Sequence, residues 1–234
     1  MLIHTDDCDV IGDSEDMNEQ IYKKCDREWK CKKVDPEFIL GVRRNIEEDK
    51  NGTFTCTMTM KPFIEGMVEA FREHLPKKTP NTPFPESVML SVDKSVTDDE
   101  LKEVLTWGYQ RVVGMLLWCS RHCYPECLVG ISSLCKLMSR PSKQAWICAM
   151  HMIAYLSTQS NRGITFSSEA ELTPIAYSDA SNKPDPKDGR AQYGYTILMA
   201  GGPVVSQSKK LSHVGLNAFH NEYMALCECS KATV

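Results

Sequence analysis

The sequence predicts a mixed α/β fold of the α+β kind. Runs rich in β-branched and aromatic residues gather towards its two ends, and the middle carries helical periodicity. A cluster of prolines separates the first strand-rich region from the helical one. At 234 residues, 42% hydrophobic and 25% charged, the chain is large enough to bury one or two ordinary cores, so order is the expectation.

Leu2-Ile3-His4-Thr5 and Cys8-Asp9-Val10-Ile11-Gly12 read as two short strands around an acidic tip, Asp6-Asp7. Asp13 or Ser14 can cap a helix running to about Lys33. On it Ile21, Cys25 and Trp29 recur four apart, which predicts a core-facing stripe. Phe38 to Val42 and Thr53 to Met58 are β-rich runs separated by charges and by the turn dipeptide Asn51-Gly52, so they should pair antiparallel. Pro62 opens a short helix carrying Phe63, Met67 and Phe71. Pro76, Pro80, Pro83 and Pro85 then place a boundary near 80–97.

Thr97-Asp98-Asp99-Glu100 has the form of a capping box, and helical periodicity runs on from it through Leu101, Leu105, Trp107, Val112, Met115 and Leu116. Two further helices are expected at about 126–139 and 141–157. Ile175–Asp179, Tyr193–Ala200 and Val204–Ser208 read as strands, Gly201-Gly202-Pro203 as the turn between the last two, and Asn217 as the cap of a closing helix. The chain thus divides into 1–60, 61–97, 98–165 and 166–234.

No apolar run approaches the roughly 20 residues a membrane span needs, and no basic segment followed by an apolar one opens the chain. An intracellular protein, cytoplasmic or nuclear and not secreted, is expected, with no membrane partner. The eleven cysteines are scattered through a chain with ample core residues, which favours reduced thiols over a disulfide scaffold. A formal charge of -4 argues against a nucleic-acid coat that is basic throughout. The charge is uneven: residues 1–60 carry 9 basic and 14 acidic side chains, whereas 101–165 carry 7 and 2. That cationic middle could track phosphates.

Two adjacent aspartates at the tip of an apolar hairpin can present carboxylates to divalent metals at a fixed angle, although such a pair also reads as a solvated turn. Leu2 to Asp7 with Gly12 resembles the YVDD hairpin of copia-type reverse transcriptases, departing from it at His4 and Thr5. Phe38-Ile39-Leu40-Gly41 is similar to that family's FLG strand, and Pro62 to Phe71 to the helix that begins its thumb. Tyr109, Val113-Gly114, Leu116, Pro125-Glu126, Leu134, Met138, Pro141, Trp146 and Tyr155-Leu156 follow its connection segment with many departures.

Four runs near the end resemble the family's RNase H sequence in order and spacing. They are Tyr177-Ser178-Asp179-Ala180, then Asp185, Asp188 and Arg190 with Tyr193-Gly194-Tyr195, then Ser206-Gln207-Ser208-Lys209-Lys210, then Asn221-Glu222-Tyr223-Met224-Ala225-Leu226. A strand aspartate and a helix glutamate can converge on one metal when the helix lies across the sheet.

The resemblance implies a segment of a retrotransposon Pol polyprotein: part of a reverse-transcriptase palm hairpin and thumb, an α-helical connection, and a truncated RNase H-like domain. It makes Asp6 and Asp7 polymerase-like metal ligands, and Asp179 and Glu222 RNase H-like ones, with Mg²⁺ or Mn²⁺ as the ion in the intact parent. No organic cofactor is implied. Primer–template or RNA–DNA hybrid, and the remainder of Pol, would be the partners. The family's other RNase H carboxylates would lie beyond Val234 and its first polymerase aspartate before Met1, so neither activity is expected of this chain alone. Unpaired sheet edges should favour self-association or marginal stability. The alternative is a domesticated or decayed remnant that binds nucleic acid without catalysis.

Two other groupings are read as structural. Cys119, His122, Cys123 and Cys127 recur at helical spacing, but Pro125 interrupts the helix that would align them as a zinc site, so a half-buried thiol stripe is favoured. Lys23, Lys24, Arg27, Lys30, Lys32 and Lys33 are most simply a solvated face that could meet a nucleic-acid backbone.

Overall fold

The computed structural model describes residues 2–4, 7–10, 12, 14–33, 37–86, 88, 90, 96–181, 185 and 188–233. The chain is mixed α and β, as the sequence predicts. An antiparallel hairpin pairs β1 (Leu2–His4) with β2 (Asp7–Asp9), setting His4 opposite Asp7. Asp6, at the tip, lies outside the described residues, as does Asp13, one of the two caps considered for the next helix. Helix α1 (Glu15–Trp29) is capped by Ser14, whose hydroxyl accepts the Met17 N–H. The expected core stripe on this helix is not one, for no residue of α1 is buried and Trp29 is 68% exposed. Charged residues flank the stripe on both sides, and its burial would need an apolar surface that the described elements direct elsewhere.

Phe38 to Val42 does not run as a single strand. β3 (Phe38–Ile39) turns back into β4 (Val42–Glu48) through Leu40 and Gly41, at φ 53° and 81°. Two positive φ values make the type I′ turn whose twist matches a two-residue hairpin, and glycine meets the second at little cost. β4 pairs antiparallel with β5 (Phe54–Thr59) around Asn51-Gly52, as the turn chemistry predicts. The Asp49 carboxylate holds that loop by accepting the N–H groups of Asn51 and Thr53 at 2.8 and 2.9 Å. A short strand absent from the sequence reading, β6 (Ile164–Ser167), completes a four-stranded sheet in the order β3-β4-β5-β6.

Helix α2 (Lys61–Ala70) carries Pro62 in its first turn and buries Ile64 and Met67. The periodic run after Thr97 is two helices, α3 (Asp98–Thr106) and α4 (Tyr109–His122), broken where Gly108 takes φ 91°. The capping box is half made. Thr97 accepts the Glu100 N–H at 3.2 Å, but the Glu100 carboxylate accepts the N–H of Lys143 instead, at 2.7 Å. That bond ties the start of α3 to the start of α6 (Lys143–Gln159), which α5 (Leu128–Cys135) precedes. One hydrophobic cluster runs through these helices and reaches back to Val42 and Met60. Within it the Tyr109 hydroxyl donates to Leu134 O at 2.9 Å, and Trp118 Nε1 donates to Leu40 O at 3.2 Å, fastening the I′ turn to α4.

The C-terminal part is an antiparallel meander, β7 (Ile175–Ala180), β8 (Gln192–Met199) and β9 (Gly202–Lys210), with helix α7 (Ala218–Thr233) against β7 and β8. Asn217 caps α7, accepting the His220 N–H at 2.8 Å. A second, smaller cluster of Ala180, Ala191, Tyr193, Leu211 and Ala225 lies between sheet and helix. The two sheets meet where β6 approaches the turn before β9: Ser167 N–H donates to Ala200 O at 2.8 Å.

Gly163 permits the close approach of β6 to β5, since a Cβ there would sit 1.8 Å from Met58 O. Gly163→Ala should therefore destabilise the protein by about 1–3 kcal/mol, as overpacking does. A urea-unfolding midpoint equal to that of the parent would show that β6 is free to move.

Candidate functional site

The carboxylate pair singled out near the C-terminus is carried by β7 and α7. Asp179 is exposed near the end of β7. Ser181 donates its N–H to Gln192 O at 2.7 Å, so strand alternation turns the N–H of Ala180 away from β8. Glu222, on the first turns of α7, fills that position: its Oε2 accepts the Ala180 N–H at 3.1 Å. The helix glutamate is thereby held on the residue that follows the strand aspartate. It reaches there because Asn221, Ala225 and Cys229 are buried at four-residue spacing, which fixes the rotation of α7 over the sheet. Asn221 packs so closely on Gly215 that a Cβ at Gly215 would lie 1.6 Å from its Oδ1.

Such a pair offers hard oxygen donors of the kind Mg²⁺ and Mn²⁺ prefer. One Glu222 oxygen is engaged by a backbone donor. The other oxygen and the exposed Asp179 carboxylate could hold a cation. Asp6 is outside the described residues, and Asp7 is the first residue of β2. Among the described residues, no three His, Cys, Asp or Glu side chains converge as a metal-binding group.

An ionic cluster joins the loop between β7 and β8 to the end of β9; the sequence reading included its residues in the family resemblance but gave them no joint role. Asp188 accepts Arg190 Nη2 at 2.6 Å and Lys210 Nζ at 3.0 Å, and Lys210 also reaches Asp185 at 2.5 Å. Arg190, then Lys210, hold the Asp188 carboxyl well below the usual carboxylate range. Burial opposes the charge on Lys210, but its bonds to Asp185 and Asp188 outweigh this and raise its pKa. Lys136 approaches Asp185 at 3.7 Å, while burial and the neighbouring Lys210 lower its pKa. With Gln192 donating to Ser132 Oγ at 3.0 Å, these contacts join the helical body to the C-terminal sheet. No sequence spacing pointed to this, because the partners come from 132–136, 185–192 and 210.

The cysteine grouping is buried. Loss of solvent pushes the Cys119 and Cys123 thiols up to about 12, and Cys127 is raised further by burial and by Glu126. His122 Nδ1 lies 2.8 Å from Trp118 O, and its ring packs against that of Trp118 at 4.0 Å, tilted by 39°. Thiols so far from ionisation make inert core groups.

Comparison with known proteins gives distant relatives. A transposon Ty5-1 protein of Saccharomyces cerevisiae is 27% identical over 220 residues, covering 92% of this chain and 67% of the relative. Secreted RxLR effector protein 161 of Plasmopara viticola is 28% identical over 126 residues, 54% of this chain and 89% of that protein. The retrovirus-related Pol polyprotein from transposon TNT 1-94 of Nicotiana tabacum is 22% identical across 100% of this chain, which spans 17% of that polyprotein. No family model and no solved structure matches. The likenesses support a retrotransposon-derived protein. Among the described residues, no helix is long and apolar enough to cross a membrane.

The ionic cluster sets an acid-side pH dependence. A carboxyl whose folded pKa lies below its ordinary value of 3.8 stabilises the fold above that value, and its contribution is lost as pH falls through the lower, folded one. Asp188→Asn should flatten the decline of stability below about pH 4 and lower stability at neutral pH. Thermal unfolding from pH 2 to pH 7 measures it, and parallel curves for variant and parent would remove Asp188 from the cluster. Glu222→Ala should accelerate amide exchange at Ala180 while Glu222→Gln, which keeps an acceptor, should not; equal rates in both would mean that the Glu222 contact does not hold the strand end.

Proposed function

We propose that the chain is a copia-type Pol segment, carrying the end of a reverse-transcriptase unit and the beginning of an RNase H-like one. In this reading Asp179 and Glu222 are two of the carboxylates of a divalent-metal site for RNA–DNA hybrids. The observation that supports the reading is the Glu222 bond to the Ala180 N–H, which ties the helix glutamate to the residue that follows Asp179. Asp6 and Asp7 would be the polymerase-like ligands of the same parent.

A metal ion held at Asp179 and Glu222 would activate a water and stabilise the leaving oxygen of the RNA strand. The chain's own groups would hold and orient it. Asp179 would bind directly through an exposed carboxylate, and Glu222 through the oxygen that Ala180 does not occupy. Two-metal hydrolysis asks for more carboxylates than this pair supplies. The chain also spans only 17% of the tobacco Pol polyprotein, so polymerase and nuclease activity belong to the longer protein. On its own the chain should bind hybrid without cutting it. A second reading, a non-catalytic remnant, draws on the fact that no third ligand converges on the pair among the described residues.

Mn²⁺ titration followed by NMR should broaden the Ala180 and Asp179 amide signals in the parent and leave them sharp in Asp179→Asn. Absence of broadening in the parent would sink the metal reading. A labelled hybrid incubated with Mg²⁺ should stay intact, and cleavage that disappears in Asp179→Asn would overturn the expected inactivity while supporting the site.

A further inference from the structure

The turn between β4 and β5 carries a reactive pair of residues. Asn51-Gly52 is the sequence's one Asn-Gly pair, and both residues are exposed. Gly52 takes φ 81°, and a Cβ placed on it would meet nothing nearer than Glu48 Oε1 at 4.0 Å. Its backbone nitrogen is therefore open to approach from the side chain of the preceding residue. Every other asparagine is followed by a residue whose side chain shields that nitrogen.

One carboxylate holds this turn. Asp49 Oδ1 accepts the N–H groups of Asn51 and Thr53 at 2.8 and 2.9 Å, and the Thr53 and Asn51 side chains add weaker bonds to the same carboxylate. The N–H of Thr53, then that of Asn51, hold the Asp49 carboxyl below its ordinary pKa, so it is ionised at neutral pH. The Gly52 N–H donates to Asp49 O at 3.1 Å, and the Asp49 N–H to Thr53 O at 2.9 Å. The residues on both sides of Gly52 are thus pinned to Asp49, and Gly52 N reaches Asn51 Cγ only when these bonds loosen. Thr53 Oγ1 carries the restraint onward by donating to Glu169 at 2.7 Å.

We propose that Asn51 is a site of spontaneous modification, deamidating through a succinimide formed with Gly52, and that Asp49 sets its pace. Gly52 N gives its proton to water and bonds Asn51 Cγ, while the Cγ–Nδ2 bond breaks and Nδ2 takes up a proton and leaves as ammonia. Water then opens the ring at one carbonyl or the other, leaving aspartate or isoaspartate at position 51. Water is the only co-reactant. Isoaspartate routes the main chain through the former side chain and lengthens it by a carbon, which disturbs the closure between Asp49 and Thr53. Either product adds a negative charge beside Glu47, Glu48 and Asp49. The reaction therefore weakens the turn that joins β4 to β5 and, through Thr53, its tie to Glu169. The site is separate from Asp179 and Glu222 and does not depend on their reading.

The test holds the full chain at neutral pH and 37 °C for several weeks. Samples are digested with pepsin in acid, where cyclisation is slow, and mapped by mass spectrometry. The parent should lose the Asn51 amide progressively, with the mass gain of an amide turned acid and with isoaspartate that an isoaspartyl-specific methyltransferase labels. Its other asparagines should stay intact. A synthetic peptide of residues 46–57 should react faster than the folded parent. Asp49→Ala should react several-fold faster than the parent, and Asp49→Asn, which keeps an acceptor, at close to the parental rate. Unfolding midpoints of both variants are measured alongside, and the faster reaction of Asp49→Ala should appear at a urea concentration where it is as fully folded as the parent. Asn51→Gln, whose longer side chain must close a larger ring, should keep its amide. The proposal is overturned if Asn51 of the parent is intact when the peptide has fully reacted, or if Asp49→Ala reacts at the parental rate.

Discussion

Helix α6 buries ten of its seventeen side chains, with Ala145, Cys148, Ala149, Met152, Ile153 and Leu156 spread round its circumference. A helix apolar on most of its surface must be enclosed. The helices α2, α3, α4 and α5 all pack on it, and Trp146 and Tyr155 extend the contact to its flanks. Its two ends are fixed by polar contacts from distant residues. Glu100 accepts the first helical N–H, and the Tyr124 hydroxyl reaches the carbonyls of Gln159, Ser160 and Arg162 at 3.3, 3.4 and 2.8 Å. The exit direction fixed by Tyr124 sends the chain straight into β6, which pairs with β5 on one side and approaches the β8–β9 turn on the other. Placement of the C-terminal sheet against the helical body therefore descends from how α6 is held.

Regular local chemistry was legible in the sequence. Asn51-Gly52 marked a hairpin, Ser14, Thr97 and Asn217 were read as caps, and all three accept the expected N–H. What misled was periodicity without a partner. Ile21, Cys25 and Trp29 have the spacing of a core stripe, but spacing says only that a face is apolar; whether it is covered depends on surfaces far away in sequence. Leu40-Gly41 hid a reversal inside an apolar run because leucine gives no warning of a positive φ. The Gly108 break was hidden by apolar residues that keep helical spacing on either side of it. β6 is four residues long and takes its identity from β5, more than a hundred residues earlier, so no local signal could announce it.

Of the candidate site, Asp179 and Glu222 were legible because motif order places a strand before a helix. Their coupling was not. It runs through a backbone N–H that is available only because Ala180 points away from β8, a matter of register that composition does not reveal. The cluster of Asp185, Asp188, Arg190 and Lys210 was legible as residue types and illegible as a unit, since its charges converge from a loop and the far end of β9.

That cluster bears on what the carboxylate pair can do. Metal-holding carboxylates must stay free of basic side chains, because an ion pair at the same oxygen competes with the metal for it. Arg190 and Lys210 belong to the same sheet unit as Asp179, and either could have quenched it. Instead Asp188 and Asp185 engage both cations, Asp188 with strength enough to hold its own carboxyl far below the ordinary range. The remaining positive charge is carried elsewhere, most densely at the end of α1. With Arg190 and Lys210 engaged by Asp185 and Asp188, the exposed Asp179 carboxylate has no ion pair among the described residues, which is the condition the proposed reading asks of it.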